Sequence, residues 1–174
     1  MTVPTYTSAE DSALLKRALR SRSGGSFLEV GAGNGGTMVD ASRRHDLVAG
    51  TDIHRPDMDD WKKAGASYVL ADRASCFRPS SFDVVAFNPP YIPVEAEEDP
   101  AVGGGARLEV PKAFLVDAIR VVRKGGEIVF VLSDEADLRD FEAICSEEGF
   151  ALRREATERV FFEELAVYSA KSTE

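Results

Sequence analysis

The chain has 174 residues, 44% of them apolar, and a formal net charge of −9. That length builds one hydrophobic core rather than two, and the apolar content excludes a disordered chain. The negative charge opposes unaided binding to a polyanion, because phosphate neutralisation supplies most non-specific nucleic-acid affinity.

The start, Met1 to Tyr6, has no basic region followed by an apolar stretch, so a secretory leader is not expected and the cytoplasm is the expected location. Thr7 to Asp11 reads as a helix start, with Ser8 and Asp11 spaced as a capping box, followed by a helix over Ser12 to Leu19. Residues 1–25 are expected to pack as a helical segment on one domain spanning 1–174. Ser26 to Val30 reads as a strand that runs into the glycine stretch Gly31 to Gly36, with a helix over Thr37 to Arg44. Leu47 to Asp52 is a second strand, Arg55 to Ala64 a helix, and Ala66 to Ala71 a third strand. Phe82 to Phe87 is a fourth strand, stopped by Asn88-Pro89-Pro90. Ala106 to Arg123 carries a helical pattern with Leu108, Phe114, Leu115, Ile119 and Val122 near one face, and Gly125-Gly126 is expected to end it. Glu127 to Leu132 is a fifth strand and Glu135 to Glu147 a helix closed by Gly149. Leu152 to Ala156 and Val160 to Tyr168 read as a closing antiparallel hairpin.

Short apolar strands alternating with helices predict an α/β fold, a mostly parallel seven-stranded Rossmann-like sheet with helices on both faces. A C-terminal antiparallel hairpin on such a sheet matches the class I methyltransferases. Ligands of open sheets of this kind sit beyond the carboxyl ends of the strands. No apolar run approaches the roughly 20 residues of a membrane span. Cys76, Cys145, His45 and His54 have no ligand-spaced companions, so no metal is expected.

The first strand end carries Glu29-Val-Gly31-Ala32-Gly33-Asn34-Gly35-Gly36, where glycines let the backbone approach a ligand closely. Gly31, Gly33 and Gly36 also satisfy a dinucleotide pattern, with Asp52 at a suitable distance. Glu29 favours a different ligand: an acid can meet a cationic aminoacid end but repels a pyrophosphate. Asp52, followed by Ile53, can accept from both ribose hydroxyls of an adenosine. Asp72, at the end of the third strand, can accept from an adenine amino group or simply be a solvated turn residue. Asp11 either completes the capping box with Ser8, or Glu10 or Asp11 lies beside the aminoacid end of such a ligand.

Asn88-Pro89-Pro90-Tyr91 carries the chemistry. Prolines alone would only terminate a strand; the asparagine and tyrosine beside them need another reason. The nitrogen of an amide or aromatic amine is a poor nucleophile, because its lone pair is delocalised. Two acceptors that hold its hydrogens aim the lone pair at a methyl sulfonium. The Asn88 side-chain oxygen and the Pro89 carbonyl supply them, stiffened by the proline rings. Both bonds strengthen as positive charge grows on nitrogen. Tyr91 offers a flat face to a planar group. Glu95 to Gly105, rich in acids, reads as a loop after this turn.

Tyr6-x-x-Ala9-Glu10-Asp11-Ser12, the Glu29 to Gly35 loop, Asp52 and Asn88 to Tyr91 together resemble the HemK-like protein-glutamine N5-methyltransferases, and most nearly their short archaeal and eukaryotic branch. The resemblance covers about Tyr6 to Tyr168. It implies S-adenosyl-L-methionine as methyl donor and the glutamine of the Gly-Gly-Gln loop of a translation release factor as substrate. It implies a small zinc-binding activator subunit on an apolar sheet edge, for which Ser67 to Leu70 is the candidate. By the same resemblance Asn88, Pro89, Pro90 and Tyr91 form the catalytic turn. Glu10, Asp11, Glu29, Gly31, Ala32, Gly33, Asn34, Gly35, Asp52, Ile53, Asp72 and Asn88 face the donor. The rival readings are an adenine-N6 or guanine-N2 methyltransferase acting on RNA or DNA, and a nicotinamide-dependent oxidoreductase. The first shares the catalytic turn but lacks the charge; the second leaves Asn88 to Tyr91 unexplained.

Overall fold

The computed structural model describes residues 9–56, 60–90, 108–133, 136–160 and 163–173. Seven strands form one sheet: β1 (Ser26–Val30), β2 (Leu47–Asp52), β3 (Ser67–Leu70), β4 (Phe82–Phe87), β5 (Val122–Ser133), β6 (Phe150–Val160) and β7 (Glu163–Ser172), in the order β3-β2-β1-β4-β5-β7-β6. The first five run parallel to one another, and β7 runs antiparallel to both β5 and β6. The chain order reverses between β1 and β4. This switch point opens a crevice at their carboxyl ends.

The described helices are α1 (Ala9–Leu19), α2 (Gly36–Ala41), α3 (Asp60–Lys63), α4 (Glu109–Val121) and α5 (Arg139–Glu147). None is long and apolar enough to cross a membrane. Every residue of β1 is buried, as a central parallel strand requires. The core around it is aromatic: Phe87 stacks on Phe130 at 4.9 Å, and Phe130 stacks in turn on Tyr168 at 5.6 Å.

Strands β1, β2 and β4 have the bounds their sequence predicts. Other elements differ, each for a local reason. Helix α1 begins three residues earlier than Ser12, with Glu10 and Asp11 in its first turn, where acids favour the exposed N–H groups. Ser8, the expected capping residue, lies outside the described residues. Helix α4 begins after Leu108, which takes a left-handed φ of 57°. Its fully buried face is Pro111, Leu115, Ala118 and Val121, with Phe114 and Ile119 only half-buried. Pro111 is tolerated because it falls in the first turn.

Gly125-Gly126 does not end α4. The helix stops at Val121, and Val122 already pairs with Phe82 as β5 begins. The register then shifts between Phe82 and Val84, and the glycines serve that irregularity. Gly125 has φ 77°, and a Cβ on Gly126 would lie 2.7 Å from the Asp83 carbonyl oxygen.

Gly50 is a second tight contact. It sits in β2 opposite Glu29 of β1. A Cβ there would lie 2.3 Å from Met38 Sδ and 2.9 Å from the Ala32 Cβ. Gly50→Ala is therefore expected to lower unfolding free energy by about 1–3 kcal/mol, as overpacking does, in a urea titration.

Candidate active site

The β1–β4 register places Val30 beside Phe87, so Gly31 and Asn88 leave the sheet as neighbours. Asp52 ends β2 on the other side of β1 and pairs with Leu70 of β3, two residues before Asp72. Asp72, Asp52, the glycine loop and Asn88 thus line the carboxyl ends of four adjacent strands. At roughly 5 Å per strand the row spans about 15 Å.

The loop after β1 is held from several sides. The Thr51 carbonyl accepts hydrogen bonds from both the Gly31 and Ala32 N–H groups, each at 2.8 Å. Asp52 Oδ2 accepts from the Gly33 N–H at 2.9 Å, and Oδ1 from the His54 N–H at 2.9 Å. Each carboxylate oxygen keeps a further lone pair, so Asp52 can brace the loop and still accept from a ligand. Tyr68 of β3 donates its hydroxyl to the Gly33 carbonyl at 2.7 Å. Burial, helped by the charges of Asp52 and Glu29, raises the Tyr68 pKa, so the phenol stays a donor. Trp61 of α3 packs under Gly35, and Phe114 of α4 against Gly31. Gly31, Gly33 and Gly35 all have positive φ, at 73°, 51° and 76°. Among the described residues nothing lies within 4 Å of where a Gly33 Cβ would stand, so they leave this side of the loop open to a ligand.

Glu29 is buried beneath the loop. Its carboxyl accepts from the Thr37 hydroxyl and the Met38 N–H at the start of α2, and its Oε2 has no partner among the described residues. Burial pushes its pKa up to about 8; the Thr37 bond, the charge of Lys16 and the Met38 bond pull it down, and the charge of Asp52 pushes it further up. Because this folded value stands above the ordinary 4.5, the fold loses stability at this site as pH rises from about 4.5 to 8.

Asn88 is half-buried, and its Oδ1 is enclosed without a hydrogen-bond partner among the described residues. A buried amide oxygen left unpaired costs stability unless a ligand completes it. Pro89 behind it is buried and fixes the turn. Ile53 is 65% exposed beside Asp52. Asp11 is buried in the first turn of α1, whereas Glu10 is exposed. Asp72 is exposed and pairs with Arg73 at 3.0 Å. Ala32 is buried and Asn34 exposed on the loop. Tyr91 and the acidic segment Glu95 to Gly105 lie outside the described residues.

Sequence reading missed Tyr68, Trp61 and Phe114 as supports of the loop. Their contacts join segments far apart in the chain, and no short spacing announces them.

No family model matches the chain. A Methanocaldococcus jannaschii chain assigned as a protein N5-glutamine methyltransferase is 28% identical over 181 residues, which cover 95% of this chain and 90% of that one. The solved E. cuniculi Mtq2–Trm112 complex, described as responsible for methylating the translation termination factor eRF1, matches with a TM-score of 0.77 and 26% identity over 97% of this chain and 98% of its own. The T. thermophilus 16S rRNA N2 G1207 methyltransferase, solved with AdoMet and guanosine, shares the fold at a TM-score of 0.70 and 23% identity, over 97% of this chain and 44% of that one.

Fold, strand-end site and relatives define the class: the chain is a class I S-adenosylmethionine-dependent methyltransferase. Within that class its likeness is to the HemK-like protein-glutamine methyltransferases, the family its motifs resemble.

Proposed function

We propose that the chain methylates the side-chain nitrogen of the glutamine in a release factor's Gly-Gly-Gln loop, giving N5-methylglutamine. The observation that carries this reading is the enclosed, unpartnered Asn88 Oδ1 beside the glycine loop. An acceptor in that state suits a primary amide, which brings two N–H donors.

S-adenosylmethionine supplies an electrophilic methyl group on sulfonium. The chain's residues do the rest. The glycine loop and Asp52 hold the adenosine, with Ile53 against its apolar surface. Asn88 Oδ1 and the Pro89 carbonyl accept the two amide hydrogens and turn the nitrogen lone pair toward the methyl. The lone pair forms the new C–N bond as the S–C bond breaks, and the nitrogen's extra proton leaves afterwards. The turn acts by orientation and by hydrogen bonds that strengthen with the charge.

The M. jannaschii and E. cuniculi relatives support a protein glutamine over a nucleobase, and the net charge of −9 agrees. The E. cuniculi Mtq2–Trm112 complex also supports a partner subunit, which the family resemblance makes small and zinc-binding. Strand β3 is one edge of the sheet, only four residues long, and Leu70 on it is 60% exposed. A translation factor as substrate makes the cytoplasm the place of action.

Transfer of radiolabelled methyl to the release factor tests the reading, with and without the zinc-binding subunit. A release factor carrying Gly-Gly-Asn is the control. Label that is lost in the control is the expected result. Label that survives it overturns the assigned site. Labelling of RNA instead of the factor establishes the nucleobase reading.

A further inference from the structure

Lys16 places a cation at the donor loop, outside the groups assigned to the proposed reaction. It lies on α1, which packs against α2, and its side chain is half-buried. Its Nζ lies where the loop runs into α2: a Cβ on Gly36 would be 2.9 Å from Nζ and 3.7 Å from Cε. Glycine at 36 is thus what leaves room for the ammonium. Among the described residues the ammonium has no hydrogen-bond or ion-pair partner.

Glu29 does not fill that role. Its charge and that of Lys16 act on each other, but no ion pair joins the two among the described residues, and the Glu29 carboxyl is already turned to Thr37 and Met38. A half-buried ammonium with no direct ion-pair partner among the described residues is costly, and an anion delivered to it gains a charge-assisted hydrogen bond. Cation and acid thus flank one junction of loop and helix without pairing. The aminoacid end of the methyl donor is the part of that molecule that carries both charges.

Resting on the donor reading above, we propose that Lys16 recognises the carboxylate of the donor's aminoacid end. Lysine suits such a contact, because a point charge on a flexible four-carbon stem follows a ligand carboxylate without demanding bidentate geometry. Lys16 is then a determinant for donors that keep this carboxylate.

Calorimetric titration of the full chain with three ligands tests this. S-adenosylhomocysteine carries the carboxylate and the amine. Its decarboxylated analogue keeps the amine alone. 5′-Methylthioadenosine has neither. Lys16→Met is expected to weaken S-adenosylhomocysteine by about tenfold or more and to leave the other two unchanged. Lys16→Arg is expected to retain most of the affinity. Equal losses for all three ligands would show that Lys16 only supports the loop, and unchanged S-adenosylhomocysteine affinity would also overturn the proposal. Failure of the unaltered chain to bind S-adenosylhomocysteine would instead remove the donor reading itself.

Discussion

Replacing Asn88 with alanine is expected to cut methyl transfer by about 100-fold or more while S-adenosylhomocysteine binding changes little. The two effects separate because the structure separates their causes. The glycine loop is held by the Thr51 carbonyl, Asp52 and Tyr68, none of which bonds to the Asn88 side chain. The Asn88 oxygen is enclosed and unpaired, so its removal frees no partner and leaves the fold nearly as stable. On the proposed mechanism, what is lost is one of two acceptors for the reacting amide. That loss falls on the transition state, where charge gathers on nitrogen, more than on the bound substrate. A fall in turnover at unchanged donor affinity is the signature to seek in single-turnover assays. Comparable turnover in variant and parent would remove Asn88 from the mechanism.

The largest effect on stability is expected far from the site, at Arg22. Its guanidinium bonds Glu127 at 2.7 and 3.0 Å, Glu155 at 2.5 Å and the Ala18 carbonyl at 2.6 Å. The side chains of Arg22 and Glu127 are 11% and 10% exposed. This cluster ties the end of α1 to β5 and β6. Arg22→Met would strand two carboxylates against each other in a poorly hydrated place. Breaking a buried ion pair this way costs about 3–5 kcal/mol, and Lys171, 3.5 Å from Glu127, keeps the loss near the lower end. The deficit depends on pH. Burial works to raise the Glu155 carboxyl, and hydrogen bonds from Arg22 and Ser169 overcome it and hold the group below the usual range. A carboxyl lowered in the folded state contributes stability above its unfolded pKa and loses it as pH falls through the folded value. The parent therefore gives up this contribution in acid, and the variant has none to give up. Urea titrations at neutral pH and below pH 4 should show the gap narrowing. An equal gap at both would mean that packing, not charge, carries the effect.

The central strands were legible in the sequence because each is a short apolar run closed by a turn signal. SFLEV ends in glycine and FDVVAF in Asn-Pro-Pro, so β1 and β4 have their expected bounds. The crevice followed from those two ends, since strands that pair in register release their next residues side by side. The β5 start was not legible. Gly125-Gly126 looks like a helix stop, and only pairing with β4 shows that it relaxes a register shift. The supports of the loop were equally hidden. Tyr68 meets Gly33 across 35 residues, and a long-range contact between one hydroxyl and one carbonyl leaves no periodic trace. Lys16 reads as one more charge on a helix until the fold sets it against Gly36.

The bracing of the donor loop also bears on how a catalytic cycle ends. Asp52 and Tyr68 fix the loop by bonds internal to the protein, so the cradle is shaped before any ligand arrives. Its ordering entropy is lost during folding, and a ligand that fits it binds without that penalty. The demethylated product keeps the same adenosine and aminoacid groups as the donor and finds the same cradle ready. The loop thus has no means to prefer the fresh donor over the product. Preference must come from the sulfur, where the two molecules differ by one methyl and one positive charge.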